Sequence, residues 1–136
     1  KFIKILHEKM FDKTWRWAGK FRKSNKNIGV NWETIATRLH DLLNDVRVQI
    51  QHKSFSNDEI AVRFHHRLVS IHCFPNGNGR HARLVCDKLL EILKVEKFSW
   101  GARTSNDLNE TRKRYIQTLQ AADKGDYRPL LDFVRS

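Results

Sequence analysis

His72-Cys73-Phe74-Pro75-Asn76-Gly77-Asn78-Gly79-Arg80-His81-Ala82-Arg83 separates two segments whose apolar residues recur at helical spacing, so the fold must be built around it. Two of the chain's 6 glycines and one of its 2 prolines fall in this stretch. Gly77 and Gly79 permit positive φ and leave no Cβ in the way, so that successive backbone N–H groups can converge on an anion. From Gly79 onward, Ala82, Val85, Cys86, Leu89 and Leu93 predict a helix fading near Lys94. Its unpaired first-turn N–H groups and positive dipole end then face the loop. Arg80 and Arg83 lie three residues apart on one side of that helix. His72 ends the preceding helix, from where its imidazole is expected to look across the anion site. A phosphate cradle, two guanidinium groups and a titratable base within one turn suit phosphoryl or nucleotidyl transfer.

The helix running into the loop starts at Ser56-Asn57-Asp58-Glu59, a capping-box pattern. Ile60, Phe64, Leu68 and Ile71 form one apolar face and Val62 and Val69 nearly the opposite one, which predicts a central helix. His65 is expected in the core and His66 on the surface. Upstream, Ile35, Leu39, Leu42, Leu43, Val46 and Ile50 predict an amphipathic helix from about Asn31 to Gln51. Phe2, Ile3, Leu6 and Met10 predict a shorter packing helix. Between these two, Trp15 to Val30 has glycines near both ends and a polar Ser24-Asn25-Lys26-Asn27 centre, the pattern of a short β-hairpin or extended flap. Downstream of the loop helix, Trp100-Gly101 marks a turn. A helix from Asn106 or Asp107 then carries Leu108, Tyr115, Ile116 and Leu119 toward the core, and Gly125 ends it. Pro129 stands near the start of a closing helix. His7, His40, His52 and His81 have no convergent spacing, so no zinc site is expected.

A length of 136 residues, 40% hydrophobic and 30% charged, is that of one soluble domain. No apolar run approaches a membrane span, and no secretion signal is visible. Cys73 and Cys86 have no metal-ligand or redox spacing and are expected as free thiols. The net charge of +11 calls for anionic partners, yet the basic residues form no long block and no nucleic-acid-binding motif occurs. The charge is expected to attract nucleotide phosphates and an acidic protein target, with non-specific nucleic-acid contact at low salt.

The stretch from His72 to Arg83 resembles the signature of the Fic family, His-x-Phe-x-(Asp/Glu)-Gly-Asn-Gly-Arg-x-x-Arg, with one departure: Asn76 stands where the family has an acid. The resemblance implies an all-α Fic fold, a helical bundle around a central helix-loop-helix motif with a small β-hairpin flap over the site. Residues 1–136 would form a single Fic domain; because the chain starts at Lys1, an N-terminal segment is expected to be missing. The activity implied is transfer of AMP from ATP to a Ser, Thr or Tyr hydroxyl of a target protein. His72 would be the base, Gly77, Asn78 and Gly79 the hole for the inner phosphates, Arg80 and Arg83 the clamps on the outer ones, and Phe74 a loop anchor. Mg²⁺ bridging the phosphates would fall to Asn76, whose amide oxygen can ligate but brings no charge. Two alternatives stay open: a nucleotide-binding module that turns over weakly or not at all because of Asn76, and a Doc-like protein kinase. Doc-type loops carry lysine at the second glycine, so Gly79 favours nucleotidyl transfer. The branch most resembled is mobile mystery protein B, bacterial Fic proteins found beside a small DNA-binding partner. A bacterial, cytoplasmic setting follows as an expectation. The inhibitory Ser/Thr-x-x-x-Glu-Gly/Asn helix of many Fic proteins has no counterpart in these residues, so inhibition is expected to be absent or to come from a missing segment or a separate protein.

Overall fold

Ser56 accepts the Glu59 N–H on its hydroxyl at 3.2 Å and starts a helix that is apolar on nearly every side. This helix, α3 (Asn57–Ile71), buries Ile60, Ala61, Val62, Phe64, Leu68 and Ile71 together with His65 and His66. The computed structural model describes all residues, 1–136. Around α3 lie α1 (Phe2–Phe11), α2 (Ile35–His52), α4 (Asn78–Leu93), α5 (Leu108–Asp123) and α6 (Arg128–Val134). A 3₁₀ turn over Trp32–Thr34 leads into α2, with the Asn31 side chain accepting the Glu33 N–H at 3.1 Å. Asp107 caps α5, accepting the N–H groups of Asn109 and Glu110 at 3.0 and 3.3 Å.

α3 packs against α2, α4 and α6, and α1 lies on α4. One cluster of 22 buried residues runs through these contacts, from Ile3 through Phe74 and Leu90 to Val134. The all-α architecture and the central helix-loop-helix agree with the sequence reading. No helix is long and apolar enough to cross a membrane.

The expected β-hairpin flap is not formed, since the residues between α1 and the 3₁₀ turn contain no strand. A hairpin needs its two arms bonded to each other at strand spacing. Here both arms turn inward: Arg22 N–H donates to the Cys73 carbonyl at 2.9 Å and Val30 N–H to the Ile71 carbonyl at 3.4 Å. The Arg22 guanidinium takes the Ser24 and Val30 carbonyls, acceptors that a ladder between the arms could have used. Further expectations fail for tertiary reasons. Leu108 is 82% exposed at the first turn of α5, outside the bundle, and Ile116 of the same helix is exposed as well. His66 is buried and donates from Nε2 to Asp123 at 2.7 Å, because the last residue of α5 and the Tyr127 ring, 5.5 Å from the imidazole, close over the side of α3 that the helical wheel left polar.

Candidate active site

The loop between α3 and α4 is held from below by Asn78, whose side chain folds back on Phe74. Oδ1 accepts the Phe74 N–H at 2.9 Å and Nδ2 donates to the Phe74 carbonyl at 2.7 Å. Phe74 is fully buried, its ring stacked on that of His7 at 3.7 Å between centroids. His7 ties α1 to the loop, with Nδ1 accepting the Gly19 N–H and Nε2 donating to the Asn76 carbonyl, both at 3.0 Å. One acceptor and one donor nitrogen require the neutral imidazole. Burial holds its pKa below the ordinary value and the Arg80 charge adds to this, against the Asn76 carbonyl. His81, bonded through Nε2 to the Ile3 carbonyl at 2.9 Å, is pushed by burial down to about 4.

The two glycines differ in role. Gly77 has φ +77°, and a Cβ there would lie 2.7 Å from the Phe11 ring. The turn and the close approach of α1 both demand glycine. Gly79 is already helical, and a Cβ there would meet nothing within 4 Å. Its bare backbone therefore faces open space. The N–H of Gly77 is taken by its neighbour, the Asn76 Oδ1, at 2.7 Å. Only from His81, whose N–H donates to Gly77, does the backbone ladder of α4 begin. The N–H groups without a partner in the chain are accordingly those of Asn78, Gly79 and Arg80, one residue further on than the sequence reading placed them.

His72 closes α3 in the left-handed conformation, φ 54° and ψ 64°. Its ring makes no hydrogen bond within the chain and is half-buried. Burial lowers its pKa first, and the Arg22 and Lys26 charges lower it further, which favours the neutral form that accepts a proton. Arg80 lies over the Phe11 and Trp15 rings, its guanidinium carbon 4.8 and 5.9 Å from their centroids. Arg83 lies over Tyr115 and Trp100 at 4.4 and 5.4 Å. The guanidinium groups thus rest on different aromatic shelves, one supplied by α1 and its following turn, the other by α5 and the turn before it. Tyr115 in turn bonds through its hydroxyl to His65 Nε2 at 2.7 Å, and full burial pushes the His65 pKa down to about 3. Cys73 and Cys86 are buried free thiols, and burial raises Cys73 to about 12, so neither is a nucleophile.

The residues at the loop do not fit a metal held by the protein. No group of three or more His, Cys, Asp or Glu side chains converges anywhere, and the oxygen of Asn76, which accepts the Gly77 N–H with one lone pair, is uncharged. Sequence reasoning missed Arg22 and His7. Arg22 is one of 26 basic residues, and His7 carried no spacing signal at all.

The loop thus joins unpaired amides at the start of α4, two arginines resting on aromatic shelves and a His72 ring without a partner at the end of α3, in an all-helical domain. The family model "Fic/DOC family" matches residues 1–90, and the chain belongs to that family. It is 30% identical over 120 residues to "Protein adenylyltransferase Fic" of Aedes aegypti, covering 86% of this chain and 23% of that protein. Against "Protein adenylyltransferase fic-1" of Caenorhabditis elegans it is 32% identical over 124 residues, covering 86% and 22%. Among solved structures, Fic-1 (residues 134–508) from C. elegans superposes with a TM-score of 0.80 at 26% identity over 98% of this chain and 38% of that one. BepC from Bartonella tribocorum, solved with bound AMPPNP, superposes with a TM-score of 0.74 at 19% identity over 98% and 71%. The chain spans about a quarter of the length of the two curated relatives. The two curated relatives are animal proteins, and BepC is bacterial.

Proposed function

We propose that this domain transfers AMP from ATP to a hydroxyl side chain of a target protein. The observation that carries the reading is the open space beside Gly79 at the start of α4, where the first amides have no partner, with the uncommitted His72 ring at the end of α3 across the same loop in sequence. Membership of the Fic/DOC family and relatives named adenylyltransferases support it. The neutral His72 imidazole takes the proton of a Ser, Thr or Tyr hydroxyl. The freed oxygen attacks the α-phosphorus, the bond from that phosphorus to the oxygen bridging to the β-phosphate breaks, and pyrophosphate leaves. The Asn78, Gly79 and Arg80 amides hold the negative oxygens, and donors of this kind are typically worth about 2.7–4 kcal/mol each in the transition state. Arg80 and Arg83 swing from their aromatic shelves to the outer phosphates. The exposed flap residues around Lys23 and Lys26 offer positive charge to an acidic target segment.

ATP labelled at the α- or the γ-phosphate, incubated with the protein and a cell lysate, tests this. Label passing to a protein from the α-position is expected. Label from the γ-position alone would establish a kinase instead. Substituting His72→Ala should lower transfer by about 10²–10⁴-fold with nucleotide affinity unchanged. A second reading, a nucleotide-binding module without useful turnover, is favoured by one observation: the Asn76 oxygen accepts the Gly77 N–H within the loop, and its amide brings no charge to a metal. Tight ATP binding with no label transferred would select that reading.

A further inference from the structure

Three helices end on a non-glycine residue in the left-handed conformation: α2 at Lys53, α3 at His72 and α4 at Lys94. Such a terminus is closed in its fuller form by the next N–H reaching back to the carbonyl five residues earlier, and in its simpler form by one bond from the left-handed residue's own N–H to the carbonyl four residues earlier. α2 and α4 use the fuller form, with Ser54 N–H on the Gln49 carbonyl and Val95 N–H on the Leu90 carbonyl, each at 3.1 Å. α3 has only the simpler one, a single bond from the His72 N–H to the Leu68 carbonyl, long at 3.4 Å. The carbonyls at the end of α3 are taken by Arg22, a residue 50 positions away from His72 in sequence.

Arg22 is 2% exposed. Its Nε donates to the His72 carbonyl at 2.6 Å and its Nη2 to the Ile71 carbonyl at 3.2 Å. The same fork donates back to the flap, from Nη1 to the Ser24 carbonyl at 3.0 Å and from Nη2 to the Val30 carbonyl. Its own N–H holds the Cys73 carbonyl at 2.9 Å. Gly29 is pressed against this junction: a Cβ there would lie 2.7 Å from the His72 Cβ and 2.8 Å from Arg22 Nη2. A strained left-handed residue persists only where its surroundings over-determine it. At His72 those surroundings are the Arg22 guanidinium on the Ile71 and His72 carbonyls and two long backbone bonds of 3.4 Å, from Val30 N–H to Ile71 and from His72 N–H to Leu68, without the fuller closure used by α2 and α4.

We propose that Arg22 is the positioning residue of this site: its buried guanidinium reinforces the single long backbone bond that closes α3, fixes His72 in its left-handed conformation, and locks the flap to it. Base and flap then move as one unit, so the flap's register sets where a target hydroxyl meets the imidazole. This rests on the transfer reaction proposed above, yet its structural content can be read without turnover. A planar fork serving four acceptors is geometry that lysine cannot reproduce.

The test compares the protein with Arg22→Lys and Arg22→Gln by NMR, together with transfer and ATP-binding assays. In the unsubstituted protein the Arg22 Nε–H resonance should persist and exchange slowly with water. A rapidly exchanging guanidinium overturns the proposal with no substitution made, so the test survives variants that do not fold. In folded variants the Val30 amide should exchange at least about 10-fold faster. His72 should titrate at higher pH in Arg22→Gln, where a facing positive charge is lost and Lys26 alone remains. It should stay nearer its original value in Arg22→Lys. Transfer should fall about 10–100-fold in both variants while ATP affinity stays within about 3-fold, as expected for misplacement of a reacting group rather than loss of a binding one. Unchanged Val30 exchange and His72 titration in a folded Arg22→Gln protein sinks the positioning role. Absence of transfer by the unsubstituted protein, with the NMR results as expected, sinks the proposed reaction and leaves the clamp standing.

Discussion

Asn78 clasps Phe74 by both ends of its amide, accepting at 2.9 Å and donating at 2.7 Å, so the residue read from sequence as part of the anion hole holds the loop by its side chain. Removing it leaves a buried N–H and a buried carbonyl without partners. Asn78→Ala is expected to cost about 2–4 kcal/mol in urea unfolding, because each orphaned group carries its own desolvation penalty. Asn78→Asp should lose nearly as much, since a carboxylate cannot donate to the Phe74 carbonyl. A loss under about 0.5 kcal/mol in the alanine protein would show that the clasp is not what shapes the loop.

Gly77 and Gly79 should separate stability from binding. Alanine at Gly77 must adopt φ +77° and meet the Phe11 ring, and is expected to lower stability by about 1–3 kcal/mol. Alanine at Gly79 has room and a helical backbone, so stability should hold or rise by up to about 1 kcal/mol. The added methyl nevertheless fills the space over the amides, and ATP affinity by calorimetry should fall at least about 10-fold. Undiminished ATP binding by the Gly79→Ala protein would mean the phosphates lie elsewhere.

The buried histidines make the fold sensitive to acid. His65 and His81 have folded pKa values of about 3 and about 4, both below the unfolded value of about 6.5. The unfolded chain therefore binds more protons throughout that interval, and stability rises with pH there. The contribution is complete above about pH 6.5 and is lost progressively as pH falls toward 4 and then 3, with His81 alone accounting for roughly 3 kcal/mol. Urea unfolding at pH 4.5, 5.5, 6.5 and 7.5 should show a steep rise and then a plateau. Equal stability at all four values contradicts neutral burial of these rings.

Asn76→Asp keeps an oxygen for the Gly77 N–H, so the loop should retain its shape and the protein its melting temperature within a few degrees. The new carboxylate supplies the charge that Mg²⁺ coordination needs. ATP affinity measured with and without Mg²⁺ should show a larger Mg²⁺ enhancement in the variant than in the unsubstituted protein. Identical enhancement in the two would show that the acid position is not where this domain limits metal use.

Much of the bundle was legible because its helices are amphipathic, capped and interrupted by glycine. The Ser56 cap, the Gly77 turn and the periodicity of α2 to α4 each depend on residues within one or two turns of one another. Leu108 misled for lack of any local mark of exposure: its helical position says which side it takes and nothing about whether another helix covers that side. His66 misled in the opposite sense, since the helical wheel of α3 cannot know that Asp123 of α5 will arrive to bond it.

The sequence by itself determined the family, the helical class and the residues of the loop, since these rest on residue types at short, fixed spacing. Only the tertiary structure decided that the flap forms no hairpin, that the open amides begin at Asn78, and that Arg22 and His7 hold the site together. Those outcomes depend on hydrogen bonds spanning up to 69 positions, as from His7 to Asn76, and a donor so far from its acceptor leaves no periodic trace in the chain. A buried arginine is chosen by the carbonyls it finds after folding, and those carbonyls exist as a set only once α3 has ended where the flap crosses it.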